Sequence, residues 1–280
     1  MSRDPVGPVD PGAAALRALT RQAEGLWQAV HPTWPDFSVE VLPSIDSTNT
    51  ELMRRARAGD RSPTLLVALE QSAGRGRRGK QWHSRPGGSL TFSLGLPYRP
   101  ADWSGLSLAV GVSLAESLHP EVRLKWPNDL WWRGRKLGGI LIEVASLGER
   151  RHAVIGVGLN VELPELPAWS PVPVDEAAAV ALPPVPPAAL RELAPGRDAG
   201  QWLAAVIPAL VRDLRAFERA GFAAFAARFA ARDALAGLEL RLSDGQEGQA
   251  AGVGPDGALR LRTAAGLVDI TSAEVSVRPR

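Results

Sequence analysis

Apolar residues recur at steps of three and four in several stretches of the chain, and this spacing predicts helices. The predicted helices cover residues 13–30, 48–58, 104–118 and 199–232, and Gly221 is expected to divide the last of these helices in two. Short apolar runs predict strands over residues 38–42, 64–69, 90–96, 121–124, 136–144 and 152–161. Because helices and strands mix without strict alternation, the pattern predicts an α+β fold, a mixed sheet flanked by helices.

The pattern of apolar and polar residues changes after residue 237. Short alternating runs are broken by Asp244-Gly245, Asp256-Gly257 and Ala265-Gly266, which are typical of hairpin turns. We therefore predict three regions. They are an N-terminal extension with one helix, partly disordered (1–37), a catalytic domain (38–235) containing an irregular proline-rich connection (164–195), and a small all-β barrel (236–280).

Composition excludes several classes of site. The 280 residues include no cysteine, which rules out disulfides, thiolate metal sites and a cysteine nucleophile and fits a reducing compartment. The four histidines lack metal-ligand spacing, and a formal net charge of +2 gives no global field for nucleic acid. No signal peptide is evident, and the apolar segment 106–118 is too short to span a bilayer. We therefore expect a cytoplasmic protein without a membrane partner.

The most informative segment is 71–80, Gln-Ser-Ala-Gly-Arg-Gly-Arg-Arg-Gly-Lys, directly after a predicted strand. Glycines let the backbone turn sharply, and arginine binds planar anions such as carboxylate and phosphate. The loop also matches the dinucleotide fingerprint G-x-G-x-x-G and the start of a P-loop. Both motifs need a helix directly after the loop. Because a turn and a strand follow instead, we reject both, and we interpret the loop as one that closes around a small anion.

Residues 45–49, Ile-Asp-Ser-Thr-Asn, precede a predicted helix and allow two interpretations. Thr48 with Glu51 fits a capping box, which would make the segment structural. Alternatively, its hydroxyls and amide face a ligand at the start of the helix.

Three further segments carry candidate binding groups. Residues 125–129, Lys-Trp-Pro-Asn-Asp, suit a turn but also offer Asn128 and Asp129 to a ribose or a metal-bound phosphate. Lys136 precedes a strand with paired glycines, where a ligand or another backbone can approach closely. Residues 156–160, Gly-Val-Gly-Leu-Asn, repeat that arrangement and end in Asn160.

In their order along the chain, these segments resemble the bacterial biotin–protein ligases, and the resemblance extends from about residue 38 to the C-terminus. The resemblance implies an α+β catalytic domain followed by an SH3-like barrel. It also implies that the biotin carboxylate attacks the α-phosphate of Mg·ATP to give biotinyl-adenylate and pyrophosphate. A carrier-domain lysine, such as that of the biotin carboxyl carrier protein, then takes the biotin as an amide.

The resemblance assigns roles by position. Lys136 and Arg77 are implied as catalytic, and Mg²⁺ is implied on the ATP phosphates with Asp129 as a candidate ligand. Trp82 would form a wall of the pocket. The implied biotin contacts are Ser47, Thr48, Asn49, Gln71, Gly74, Arg75, Gly76, Arg77, Trp82, Lys136, Gly139 and Gly158. The implied ATP contacts are Arg77, Arg78, Asn128, Asp129, Lys136, Asn160 and Arg278.

Some features depart from the family pattern. Lys80 stands where the family usually has arginine, so we assign no specific ligand contact to it. Trp169 is a guess for the residue that covers adenine. Fewer than about 40 residues precede the first motif, whereas a winged helix-turn-helix needs about 60, so we expect no operator DNA binding. Relatives often pair through the sheet region that includes residues 152–161, which suggests a homodimer.

Two rival functions are considered. A lipoate–protein ligase uses the same adenylation chemistry, but its substrate ring lacks a ureido group and has less need for Ser47, Thr48, Asn49 and Gln71. An RNA-binding module would use the arginine/glycine loop, yet near-neutral charge and a single tyrosine argue against it. Binding that needs no biotin and weakens steeply with salt would favour the RNA module.

Overall fold

A computed structural model describes residues 11–148, 150–164, 185–271 and 277–279. The helices are α1 (Pro11–Val30), α2 (Thr48–Arg57), α3 (Leu106–Leu118), α4 (Leu190–Leu193), α5 (Ala199–Ala220) and α6 (Ala226–Ala230). The strands are β1 (Ser38–Ile45), β2 (Thr64–Gln71), β3 (Ser89–Pro97), β4 (Arg123–Lys125), β5 (Asp129–Trp132), β6 (Arg135–Leu147), β7 (Arg150–Asn160), β8 (Glu239–Leu242), β9 (Glu247–Val253), β10 (Leu259–Thr263), β11 (Gly266–Ile270) and β12 (Val277–Pro279). No described helix combines the length and apolarity needed to cross a membrane. The N-terminal extension was predicted to be partly disordered, and its residues 1–10 lie outside the described residues. Trp169 lies outside them as well.

The larger sheet has seven strands in the order β1-β2-β3-β7-β6-β5-β4. Strands β1 and β2 are parallel, and β2-β3, β3-β7, β4-β5 and β5-β6 are antiparallel. This confirms the predicted mixed sheet with helices.

The chain divides into two compact units, and β6 carries residues of both. Unit 1 comprises Met1–Tyr98, Leu141–Leu163 and Ala189–Pro208, and unit 2 comprises Arg99–Ile140, Pro164–Ala188 and Ala209–Arg280.

In unit 1, helix α2 packs one apolar face on the sheet. Leu52 and Met53, with Ala56 one turn later, contact Leu66, Ala145 and Val154, all at most 5% exposed. Burying a large aliphatic side chain contributes about 1.5–3 kcal/mol. This packing fixes the N-terminal end of α2, where Thr48 and Asn49 lie.

In unit 2, helix α3 is apolar on nearly all sides and is buried. Gly111 lies where a Cβ would crowd Leu124, so the helix approaches strand β4 closely. The same unit contains the five-stranded antiparallel sheet β11-β10-β9-β8-β12. The indole of Trp126 donates a 3.0 Å hydrogen bond to the Gly257 carbonyl, which ties the segment before β5 to this sheet.

Two local predictions were wrong, and one strand was not predicted. The N-cap of α2 is Ser47, whose hydroxyl accepts from the Thr50 amide at 3.3 Å, so Thr48 and Glu51 do not form the capping box. Residues 125–129 make a turn, but a strand, β5, begins at Asp129 and pairs with β4 and β6. The connection 164–195 contains helix α4 near its end.

Candidate active site

Four polar side chains of unit 1 form a continuous row, which we call the polar row. Asn49 and Thr48 lie in the first turn of α2, Ser93 on β3 and Gln71 at the end of β2. Successive oxygens are close: Asn49 Oδ1 to Ser93 Oγ is 2.6 Å, Ser93 Oγ to Thr48 Oγ1 is 2.7 Å, and Thr48 Oγ1 to Gln71 Oε1 is 3.0 Å. All four residues are at most 8% exposed. Buried polar groups of this kind need hydrogen-bond partners, so their protonation pattern matters.

The two ends of the row have fixed polarity. The Thr48 backbone N–H donates to Gln71 Oε1 at 2.7 Å, so the amide of Gln71 must present its oxygen there. The Asn49 amide nitrogen donates to the Leu141 carbonyl at 3.2 Å and to the Glu143 carboxylate at 3.0 Å. The oxygen of Asn49 must therefore face Ser93. These amide orientations follow from the hydrogen-bond network.

With an acceptor at each end, the polar row has fewer protons than contacts. Ser93 and Thr48 each supply one hydroxyl proton. Three oxygen–oxygen contacts compete for these two protons. If Ser93 donates to Asn49 and Thr48 donates to Ser93, the longest contact, from Thr48 to Gln71, is the one without a proton. The row therefore accepts a hydrogen-bond donor from outside more readily than another acceptor.

The arginine/glycine loop is folded back on itself beside the row. The Trp82 amide donates to the Gly74 carbonyl at 2.9 Å, and the Gly76 amide donates to the Lys80 carbonyl at 2.7 Å. At its tip, Arg78 has φ 57° and Gly79 has φ 70°, which close the turn. A Cβ at Gly74 would overlap the Trp82 carbonyl, so glycine is required at this crossing.

The loop is attached to the sheet through its side chains. Arg75 Nη1 lies 3.2 Å from Glu143 Oε1. The indole of Trp82 lies over Gly158 of β7, where a Cβ would overlap the ring. Gly156, two residues earlier on the same face, leaves the corresponding space for the amide of Asn49. The close approach predicted at these glycines is thus made by the protein's own side chains.

Unit 2 holds a second group, which we call the cation cluster: Lys125, Asp129 and Lys136. Lys136 Nζ donates to Asp129 Oδ1 at 2.6 Å, and Lys125 Nζ lies 3.9 Å from Asp129 Oδ2. Lys125 is only 3% exposed and also lies over the Trp131 ring, 5.7 Å from its centroid. Burial would raise the pKa of the Asp129 carboxyl, but the charges of Lys136 and Lys125 and the hydrogen bond from Lys136 hold that pKa below its usual value. The carboxylate is therefore ionised at neutral pH, and one net positive charge remains.

Other predicted residues of unit 2 surround the cation cluster. The Asn128 amide donates to the Ile140 carbonyl at 2.8 Å, so it joins β6 to the start of β5. A methyl at Gly139 would meet Lys136 Nζ at 3.5 Å, an ordinary contact distance, so this glycine leaves room for about one methyl group beside the amine. Arg278 on β12 contributes to lowering the pKa of Asp129. These residues bring a cationic edge to one part of unit 2.

The remaining predicted residues are placed less directly. Ser47 caps helix α2. At the tip of the loop, Arg77 is half-buried and Arg78 is exposed. Asn160 is the last residue of strand β7 and pairs with Ser89. Three residues with direct contacts in these groups were not assigned from the sequence: Ser93, Glu143 and Lys125. Lys125 belongs to a quoted segment, whereas Ser93 and Glu143 resemble ordinary strand residues.

Comparisons with known proteins identify the family of the chain. A model of the biotin/lipoate A/B protein ligase family matches residues 41–160, and a model of the biotin protein ligase C-terminal domain matches residues 239–278. The chain is 33% identical over 250 residues to the biotin–[acetyl-CoA-carboxylase] ligase of Paracoccus denitrificans, covering 84% of this chain and 98% of that protein. A solved structure, the biotin protein ligase of Aquifex aeolicus in complex with biotin and ATP, is similar with a TM-score of 0.70 and 28% identity, covering 86% of this chain and 99% of that one.

Other curated relatives are matched over part of their length. The chain is 44% identical over 136 residues to the bifunctional ligase/repressor BirA of Escherichia coli, covering 45% of this chain and 41% of the relative. It spans 44% of the corresponding Salmonella typhimurium protein and 49% of the biotin–[acetyl-CoA-carboxylase] ligase of Mycobacterium tuberculosis. Fold and site define the class of biotin/lipoate protein ligases. Within this class, the chain belongs to the biotin–[acetyl-CoA-carboxylase] ligase family.

The position of Trp82 over Gly158 gives a stability prediction. Gly158→Ala places a methyl in the space of the indole, and overpacking of this kind costs about 1–3 kcal/mol in the free energy of unfolding. Gly139→Ala is the matched control, since its methyl meets no atom closer than 3.5 Å. Urea unfolding of both variants checks this. Equal stability of Gly158→Ala and Gly139→Ala would show that Trp82 does not occupy the described position.

The cation cluster gives a pH prediction. Because the folded-state pKa of Asp129 is lowered, its carboxylate stabilises the protein above the unfolded-state pKa of about 3.9, and this contribution is lost as pH falls through the folded value. Asp129→Asn should lower the free energy of unfolding by about 1–3 kcal/mol at pH 7. The difference from the parent should shrink below about pH 4. Urea unfolding across pH 3–7 measures it, and a pH-independent difference would contradict the ion pairing.

Proposed function

We propose that this protein is a biotin–protein ligase that works in two steps. A carboxylate oxygen of biotin attacks the α-phosphorus of ATP, the bond to the β-phosphate oxygen breaks, and pyrophosphate leaves. The ε-amine of a lysine on a carrier domain then attacks the acyl carbon of biotinyl-adenylate, which releases AMP and a proton. The carrier is proposed to be a biotin carboxyl carrier domain of acetyl-CoA carboxylase, in keeping with the name of the Paracoccus relative.

The observation that carries the proposal is the proton shortage of the polar row. A ureido group brings two N–H donors and one carbonyl acceptor, so its N–H groups would donate to oxygens of the row, which has few protons of its own. The dithiolane ring of lipoate has no hydrogen-bond donor, so it would add no hydrogen bond to these acceptors. Each additional hydrogen bond contributes about 0.5–1.5 kcal/mol, or roughly 2- to 10-fold in affinity. The polar row thus favours biotin over lipoate.

The other assigned residues are proposed to act on charge. Lys136 would bind the biotin carboxylate and stabilise negative charge at the α-phosphate, which is the usual form of electrostatic catalysis in phosphoryl and acyl transfer. Arg75, Gly76 and Arg77 would cover the ligand, and Gly74, Trp82, Gly139 and Gly158 would shape the biotin pocket. Arg77 would also stabilise the transferring group, while Arg78, Asn128, Asp129, Asn160 and Arg278 would serve ATP. Excluding water protects the adenylate until the carrier arrives.

Mg²⁺ is proposed to enter with ATP. Among the described residues, no group of three or more histidine, cysteine, aspartate or glutamate side chains could hold a metal. One Asp129 oxygen is already bonded to Lys136, so at most its second oxygen is offered to the ion. This donor set suits Mg²⁺, which keeps substrate phosphates and waters as most of its ligands. When bound, the ion would neutralise charge on the phosphates.

Some finer points remain predictions. The five-stranded sheet is proposed to be an SH3-like domain. A homodimer is proposed as well, but β7 has hydrogen-bonded neighbours β3 and β6 on both sides, so pairing would not use an open edge of that strand. The expected cytoplasmic location stays a prediction, as does the absence of operator DNA binding.

The first test of the function is pyrophosphate release from Mg·ATP with biotin or lipoate as the acid. Release with biotin alone, together with biotinyl-adenylate in mass analysis, is expected because only biotin supplies N–H donors to the polar row. Equal release with lipoate would overturn the assigned ring specificity. No release with either acid would overturn the ligase proposal.

Lys136 gives the second test. Lys136→Ala should lower the rate of pyrophosphate release by about 10²–10³, the usual effect of removing one group that stabilises developing charge. Arg135→Ala is the matched control, because this neighbouring cation stacks over the Trp132 ring and should retain activity. Unchanged release from a folded Lys136→Ala variant would remove Lys136 from the mechanism.

A further inference from the structure

Glu143 connects two parts of unit 1 that have different proposed tasks. One oxygen, Oε2, accepts a hydrogen bond from the Asn49 amide at 3.0 Å, at the end of the polar row. Arg75 Nη1 lies 3.2 Å from Oε1 and 3.4 Å from Oε2 of the same carboxylate. The acidic side chain is 21% exposed and Arg75 is 51% exposed, so the pair lies at the surface end of the row.

The first contact sets the polarity of the polar row. Glu143 and the Leu141 carbonyl accept both protons of the Asn49 amide nitrogen, which turns the Asn49 oxygen toward Ser93. Without the carboxylate, only the Leu141 carbonyl, at 3.2 Å, would hold the amide in this orientation. A reversed amide would give the row a third donor and end its proton shortage.

The second contact holds the loop. The hydrogen bonds from Trp82 to Gly74 and from Gly76 to Lys80 join loop residues to each other and do not attach the loop to the sheet. The Arg75–Glu143 pair does attach it, since Glu143 lies on strand β6. A charge-assisted pair at the arm of a short loop restricts the opening of that loop.

We propose that Glu143 is a positioning residue that couples ring recognition to loop closure, by orienting Asn49 and holding Arg75 with one carboxylate. The inference rests on the proposed biotin ligase activity and deepens it. When the row binds the ureido ring, the same carboxylate keeps the loop closed, so the adenylate is retained. Glu143 itself does not touch the reacting atoms.

Two substitutions separate the two contacts. In Glu143→Gln the side-chain oxygen still accepts from Asn49, but the neutral amide no longer pairs with Arg75. The KM for biotin should stay within about threefold of the parent, while biotinyl-adenylate leaves up to about fivefold faster, the upper end for losing a partly exposed ion pair. Glu143→Ala removes both contacts, so it should raise the KM for biotin about tenfold as well.

Hydrogen exchange of the peptide covering residues 72–82 tests the loop contact in the protein without ligand. Faster exchange is expected in Glu143→Gln and in Arg75→Met, and no further increase in the double variant, because both substitutions remove the same pair. Glu116→Gln is the matched control: this carboxylate pairs with Arg228 at 2.7 Å, with a similar degree of exposure, on helix α3. It should leave both exchange of the loop and adenylate release unchanged.

The outcomes distinguish the inference from the function. If the parent releases pyrophosphate with biotin but Glu143→Gln matches Glu116→Gln in loop exchange and adenylate release, the positioning role is wrong. Additive effects of Arg75→Met and Glu143→Gln would also contradict it. If the parent fails to form biotinyl-adenylate, the proposed function is wrong and the coupling to ring recognition falls with it, whatever the exchange shows.

Discussion

Two hydroxyl protons serve three short oxygen–oxygen contacts in the polar row, and the proposed specificity depends on that shortage. The backbone N–H of Thr48 forces an acceptor at one end, and the Glu143 carboxylate forces one at the other. The packing of α2 on the sheet holds these groups in place although one contact lacks a proton. A ligand with N–H donors would relieve this cost, which is the proposed basis for its selection.

The strands around the row are adapted to the same purpose. Gly156 and Gly158 of β7 have no side chains, which lets the amide of Asn49 and the ring of Trp82 lie directly against the strand. In the cation cluster, Asp129 offsets one of two lysine charges, so the ionised carboxylate leaves a single net positive charge, which is proposed to bind an anionic substrate. Small residues thus position the polar groups of unit 1, and ion pairing sets the charge in unit 2.

Much of the fold could be predicted from the sequence, because helices and strands with strong apolar periodicity were located within a few residues of their ends. Strand β5 was missed, since four residues after a Pro-Asn turn carry too little pattern to separate strand from loop. The family, confirmed by the Paracoccus match, came from segments whose glycines and cations are unusual. Ser93 and Glu143 were not assigned to the site from the sequence, because a serine within an apolar run and a glutamate on a strand are common in any sheet. Only the register of the sheet brings them to Asn49, across 44 and 94 positions.

The most direct measurement of the central claim is the calorimetric affinity for biotin and for its cyclic carbonate analogue, in which oxygen replaces both ureido N–H groups. The two ligands have nearly the same shape and share the carboxylate, so the difference reports the replacement of two donors by two acceptors. The account predicts that the carbonate binds at least about tenfold more weakly, since its ring oxygens cannot donate to the acceptors of the polar row. Equal affinity for the two ligands would contradict the proton shortage as the basis of recognition.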